Sequence, residues 1–378
     1  MNTEHFINYV KSIYQTEDFI PLHEPRFCGN EKKYLNDVID STFVSSVGEY
    51  VDRFEVEFAK FTGSKYAVAT VNGTAALHIS LLVAGVNSGD EVLTQPLTFV
   101  ATCNAISYCG ASPVFIDVDA DTLGLSPDSL RVFLEKETVQ TSGQCVNKNT
   151  GKIIKACIPM HTFGHPCRIE ELSQLCDEHN IILVEDSAEA LGSKYNSQSL
   201  GTFGKLSAFS FNGNKIMTCG GGGIITTNDE KMAKRCKQLT TTAKTPHKWE
   251  FYHEEIAYNY RMPNLNAALA CAQLELMDSF LLEKRLLANK YGDEFSNLVK
   301  EPAGAESNYW LNALKLSGVT ERDEFLNVTN AAGVMTRPIW KLMTELPMYK
   351  NCQHTDLSVS KDLESRIVNI PSSVPGRL

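Results

Sequence analysis

The sequence predicts an α/β protein, with a large unit on a mostly parallel central sheet and a smaller C-terminal α+β unit. Three observations carry this. Strand-like and helix-like runs alternate from Lys65 to Thr227, the pattern of successive βα units. Ile181-Ile182-Leu183-Val184 is apolar on both faces, as a central parallel strand covered by helices on both sides must be. A chain of 378 residues exceeds what one small core needs. The pattern also changes at the long helical stretch from Asn264, which sets 1–263 apart from 264–378.

Composition narrows the partners. The chain is 43% hydrophobic and 21% charged, the balance of an ordinary globular protein able to bury a large core. Its 45 acidic and 35 basic residues leave a formal charge of −10 with no long basic run, which excludes the electrostatic footprint of nucleic-acid binding. The 11 cysteines are odd in number and contain no C-x-x-C pair, so neither a disulfide framework nor a metal site is expected. The N-terminal MNTEHFINYVKSIYQTEDF is broken by Glu4, Lys11, Glu17 and Asp18, and no stretch is long enough to span a bilayer. A cytoplasmic protein with a small-molecule partner is the expectation.

In chain order, 30–41 and 49–62 have helical periodicity, the second with Val51, Phe54, Phe58 and Phe61 on one stripe, ended by Gly63. Strand 65–71 runs directly into Asn72-Gly73-Thr74, where an apolar helix begins. Such a helix start offers free N–H groups and a positive dipole end to a phosphate, although Asn72 or Thr74 can equally act as a simple cap. Strand, helix and strand follow at 91–94, 98–106 and 113–118. Phe99, at a helix start beyond a strand end, either lies flat on a planar ligand or packs in the core. After a helix near 129–136, the polar segment 137–152 reads as a hairpin insertion near the site or as decoration. Strand 153–160, helix 169–179 and strand 181–184 lead into Glu185-Asp186-Ser187-Ala188-Glu189. Carboxylates there sit where open α/β sheets bind ligands, unless Asp186 merely caps a helix. A single helix is expected from Asn264 to Asn297, then a strand at 309–316 and a helix at 320–332.

The segment 207–227, SAFSFNGNKIMTCGGGGIITT, holds one lysine between two strand-like runs. Glycines 220–223 suit a backbone that passes close to another group. A lysine desolvated in such a pocket loses its proton more readily and can attack a carbonyl to form a Schiff base; the alternative is a solvated lysine on a flexible turn. Taken together, Gly73-Thr74, Phe99, Asp186, Ser210 and Lys215 would satisfy every group of pyridoxal 5′-phosphate (PLP). The lysine supplies the imine, the acid keeps the pyridine nitrogen protonated, the aromatic stacks, and helix N–H groups with hydroxyls hold the phosphate.

The chain resembles the DegT/DnrJ/StrS family of PLP-dependent nucleotide-sugar aminotransferases, specifically its LegC-type branch. The likeness runs through IPLHEPRFCGNE, YVDRFEVEFAKFTGSKYAVATVNGTAALH, VEDSAEALGS, SFNGNKIMTCGGGG, YNYRMPNLNAALACAQLE and IVNIPSS. It implies fold type I of PLP enzymes, a homodimer with shared active sites, and transfer of the amino group of glutamate to a nucleotide-linked keto sugar. By motif, Lys215 corresponds to the Schiff-base lysine, Asp186 to the acid beneath the pyridine nitrogen, and Phe99 to the stacking aromatic. Gly73, Thr74 and Ser210 match phosphate contacts, and Asn259 matches an asparagine reaching in from the neighbouring subunit.

Two positions depart from the commoner pattern. Glu189 stands where many members have glutamine near the cofactor's phenolic oxygen, so its carboxylate must be protonated or turned away. Gly221 stands where many have the glutamate of GEGG. The resemblance further implies a UDP-linked 2-acetamido-2,6-dideoxy-4-keto-hexose as acceptor, on a route to a bacillosamine- or legionaminic-acid-like sugar. A related dehydratase uses pyridoxamine phosphate (PMP) but has histidine in place of the lysine, and Lys215 argues against that reading. A non-catalytic PLP-binding regulator would keep the pocket and lack turnover.

Overall fold

In the computed structural model, residues 1–375 are described. Seven strands form the central sheet: β1 (Tyr66–Thr70), β2 (Glu91–Thr94), β3 (Ser112–Phe115), β4 (Ile154–Ile158), β5 (Ile182–Asp186), β6 (Leu206–Ser210) and β7 (Gly223–Thr227). Their spatial order is β1-β7-β6-β5-β4-β2-β3. Only β7 is reversed, pairing antiparallel with β1 and β6, while β6-β5-β4-β2-β3 is parallel throughout. The mostly parallel α/β sheet expected from the apolar runs is therefore present. Every strand except β7 ends at one edge, so Thr70, Asp186 and Ser210 finish together where β7 begins.

Alternation along the strands assigns the two faces. Phe209 and Ile224, neighbours in register, join Phe54, Phe58 and Phe211 in one core, whereas Ala208 and Ile225 join Leu77, Ile79 and Val184 in another. The helices supplying these faces include α2 (Glu31–Ser41), α3 (Glu49–Thr62), α4 (Gly73–Val83), α5 (Val100–Tyr108), α6 (Pro127–Glu137), α7 (Ile169–Glu178) and α8 (Glu230–Thr240). They follow an N-terminal helix, α1 (Thr3–Tyr14), which periodicity had not singled out.

The expected single helix from Asn264 to Asn297 is two: α9 (Asn264–Leu274) and α10 (Met277–Glu294), meeting at 60°. The physical reason is that α9 and the first turn of α10, through Met277 and Phe280, stay in one core, while the rest of α10 turns toward another. Ala267, Ala268 and Cys271 pack with Tyr50 and Phe54, whereas Leu287 and Tyr291 pack with Phe6 and Phe295. At the break Leu276 N–H bonds to Gln273 O at 3.1 Å, a tighter turn than α-helix. The Glu275 carboxylate is held there by Asn30, Tyr34 and Arg53. No single helix among the described residues is long and apolar enough to cross a membrane.

Beyond α10, a small antiparallel sheet forms from β8 (Asn312–Lys315), β9 (Arg337–Pro338) and β10 (Ile367–Ile370), in the order β8-β10-β9. It is accompanied by α11 (Val319–Ala331) and α12 (Ser358–Arg366). Phe6 of α1 lies 4.9 Å, ring to ring, from Phe325 of α11, so both chain ends build this layer. We propose that the chain divides near residue 263, with α1 counted in the smaller part by its packing.

The insertion at 137–152 is a hairpin, Thr138–Thr141 against Gln144–Asn147. Its Asn147 Nδ2 donates to Glu91 Oε2 at 2.7 Å. Glu91 opens β2, so the hairpin decorates the edge of the sheet opposite to the strand ends named above.

Candidate active site

A cavity of about 380 Å³ opens at the carboxyl edge of the sheet. Gly73, Thr74, Phe99, Asp186, Glu189, Ser210 and Lys215 all line it, so the tertiary structure collects residues scattered over 73–215. Of the residues picked out from sequence, Asn259 alone lies outside. It is exposed on the loop before α9, where its Oδ1 accepts from Arg261 Nε at 2.9 Å.

At one end of the cavity α4 begins. Asn72 Oδ1 accepts from Ala75 N–H at 2.8 Å and Asn72 O from Ala76 N–H at 3.1 Å. The N–H groups of Gly73 and Thr74 precede these bonds and are the helix's free donors, at its positive end. Glycine is required here by space: a Cβ on Gly73 would meet Ser210 Cβ at 2.7 Å, and one on Gly223 would meet the Asn72 carbonyl carbon at 2.5 Å. Close approach of β6, β7 and the helix start thus makes a cradle of N–H groups and hydroxyls sized for an anion.

On the facing wall, Asp186 ends β5 and is 3% exposed. Its Oδ2 accepts from Thr102 Oγ1 at 2.7 Å, and its Oδ1 from Ala188 N–H at 3.2 Å. Burial raises its carboxyl pKa, and the Thr102 hydroxyl bonded to the charged form opposes that. The preceding Glu185 points to the other face of the strand. There it meets His161 Nε2 at 3.2 Å and accepts the N–H groups of Gly201, Phe203 and Gly204. One carboxylate thus fixes the turn before β6 while its neighbour faces the cavity.

Lys215 lies in the β6–β7 connection, not on a flexible surface turn. Trp310 Nε1 donates to Asn214 O at 2.6 Å, and Asn266 Nδ2 of α9 holds Cys219 O and Gly221 O. Its side chain is 12% exposed. Nζ donates to Glu189 Oε1 at 3.1 Å and sits 3.8 Å from the centroid of the Trp310 ring, an arrangement that favours a cation over an aromatic face. Glu189 Oε2 accepts from the N–H of Phe163, whose φ of 57° aims that group inward. Burial pushes the Glu189 carboxyl up to about 7 even with Lys215 beside it. The departure seen in sequence therefore resolves as a carboxyl turned toward the lysine.

Phe99 is 51% exposed, with Trp340 at 6.4 Å, which places it at the cavity mouth and not in the core. Gly221 also lines the cavity, and a Cβ there would meet nothing closer than Val71 O at 4.0 Å. The lining residues that no sequence motif marks include Thr102, Trp310 and Trp340. Thr102 was legible, since it stands one turn after Phe99 on the same helix face. The tryptophans come from the C-terminal part and carried no local signal.

These groups fit PLP on their own chemistry: an anion cradle at a helix start, a buried acid supported by one hydroxyl and one N–H, and an amine lining the same cavity. Once bound, that cofactor supplies the electron sink for moving a proton at an amino acid's α-carbon. Fold and site together define a PLP-dependent aminotransferase.

The chain belongs to the DegT/DnrJ/EryC1/StrS aminotransferase family, whose profile matches residues 26–375, a family of PLP-dependent nucleotide-sugar aminotransferases. It is 39% identical over 360 residues to GDP-perosamine synthase of Vibrio cholerae, covering 93% of this chain and 94% of that one. To GDP-perosamine synthase of Escherichia coli O157:H7 it is 37% identical over 357 residues, 94% and 93% of the two chains. Among solved structures, Spr1654 of Streptococcus pneumoniae in its PLP form superposes with a TM-score of 0.83 at 25% identity, over 94% of this chain and 93% of that one. The same protein is also known in a PMP form.

Proposed function

We propose that this enzyme moves the amino group of glutamate onto the keto carbon of a UDP-linked 2-acetamido-2,6-dideoxy-4-keto-hexose. The product is a 4-amino sugar nucleotide for a bacillosamine- or legionaminic-acid-like surface sugar, as in the LegC-type branch that the chain resembles. The observation that carries the reading is the convergence of Lys215, Asp186 and the α4 start on one cavity. Lys215, as a free amine, takes up and returns the proton at the reacting carbon, work typically worth about 10² to 10⁴ in rate. Asp186 holds a proton on the ring nitrogen. Gly73, Thr74 and Ser210 anchor the phosphate, and Phe99 with Trp340 borders the entrance.

We further propose a cytoplasmic homodimer in which each site borrows Asn259 from the other subunit. Asn259 lies outside the lining of its own cavity, and its loop exposes Trp249, Phe251 and Ile256 at 73%, 79% and 90%, apolar surface that a second copy would cover. A GDP-linked acceptor is the second reading, favoured by the names of the two relatives above.

The test is a panel of UDP-, GDP- and dTDP-linked 4-keto sugars with glutamate, read by mass spectrometry. Amination of the UDP-linked acetamido sugar is expected. Amination of the GDP sugar alone would replace it by the second reading, and no amination with no 2-oxoglutarate formed would sink both.

A further inference from the structure

Glu189 has a single cationic neighbour among the described residues. Among the described residues lining the cavity, Lys215 is the only cation, whereas Asp186 and Glu189 are both acids and both 3% exposed. The groups facing Glu189 are few: Lys215 from the β6–β7 connection, Asp186 from the end of β5, and the Phe163 N–H from the turn after β4. Asn308, on the C-terminal side, is uncharged and meets Glu189 only at its backbone carbonyl, at 2.9 Å. A buried carboxylate so placed depends on one ammonium for compensation, and removing that partner leaves an unpaired charge in a low-dielectric site.

Resting on the reading that the cofactor joins Lys215, we infer that Glu189 is the proton store of this site, taking the ammonium proton when Lys215 is bonded and keeping it while the released lysine works as a free amine. The balance is closed. A bond forms between Lys215 Nζ and the cofactor's aldehyde carbon, and the aldehyde oxygen leaves as water with two of the three ammonium hydrogens. The third moves over the existing 3.1 Å contact to Glu189 Oε1, so a +1/−1 pair becomes two neutral groups. The carboxyl is poised for this, because burial already raises it to about 7 with the lysine charge in place, and loss of that charge raises it further. While Glu189 holds that proton, the released Lys215 stays a free amine able to take up the proton at the reacting carbon.

The experiment is infrared difference spectroscopy of the full-length protein, PLP-loaded minus PLP-free, at pH 8 in H2O and D2O. One protonated-carboxyl C=O band per site should appear on loading, shift in D2O, and be lost in Glu189→Gln. No such band in the wild type, or a band that survives in Glu189→Gln, overturns the inference. Should Glu189→Gln fail to fold, Lys215→Ala serves instead: it keeps Glu189 but forms no bond, and the loading band must be absent. Borohydride reduction with peptide mass analysis separates the two levels. If no cofactor mass is found on the Lys215 peptide, the reading of Lys215 itself falls. If Lys215 carries the cofactor and Glu189 stays ionised, only the proton store falls.

Discussion

Thr102 Oγ1 donates a 2.7 Å hydrogen bond to Asp186 Oδ2, joining the first turn of α5 to the end of β5 inside a buried site. Burial alone would drive this carboxyl toward its neutral form, and the hydroxyl is the chief group opposing that. In the role proposed for Asp186, the pair would set the lowest pH at which the acid can hold a proton on the ring nitrogen.

The sign of the resulting pH dependence follows. In the proposed role Asp186 acts when ionised, so activity should be present above its folded pKa and lost as pH falls through it. Thr102→Val removes a bond that favours the ionised form, raises that pKa, and should move the acid limb of the glutamate half-reaction to higher pH. A hydrogen bond to a charged group is worth about 1.5–3 kcal/mol, so a loss of roughly 10- to 100-fold on the acid side is expected. Asp186→Asn should still bind cofactor yet barely react with glutamate, because an amide cannot keep the ring nitrogen protonated. Single-turnover rates against pH decide; an unmoved acid limb in Thr102→Val would show that the bond is only structural.

Sharing of Asn259 between subunits is tested by complementation. In a mixed dimer of Lys215→Ala with Asn259→Ala, a borrowed asparagine puts both defects in one site and none in the other, so roughly half of wild-type activity per heterodimer returns. An asparagine serving its own subunit leaves one defect in each site, and no activity returns.

The glycine run should not respond uniformly. Gly223→Ala sets a Cβ 2.5 Å from the Asn72 backbone, which must force β7 and the α4 start apart, costing about 1–3 kcal/mol as overpacking does and weakening phosphate binding. Gly221→Ala meets open space and should be neutral, or stabilising by about 0.4–1 kcal/mol through the unfolded chain. Urea unfolding with a cofactor-binding titration separates the two; equal losses at both positions would contradict the crowding account.

By itself, the sequence determined the α/β class, the parallel central strands and the chemically active part of the cavity lining. Those features are encoded locally: apolar runs on both strand faces, a cap where α4 starts, glycines where backbones meet, an acid at a strand end. Packing decided the rest. The stretch from Asn264 carries an unbroken helical pattern, yet it breaks at Leu276, where the chain turns from the core that α9 shares with Met277 and Phe280 toward the one that takes Leu287 and Tyr291. Trp310 and Trp340 have no local mark of a site, since only the docking of the C-terminal part brings Trp310 to within 3.8 Å of Lys215 Nζ. The direction of Glu189 was likewise open in the sequence, for a carboxylate's partner is chosen by which charge tertiary folding buries beside it, and here that charge is Lys215.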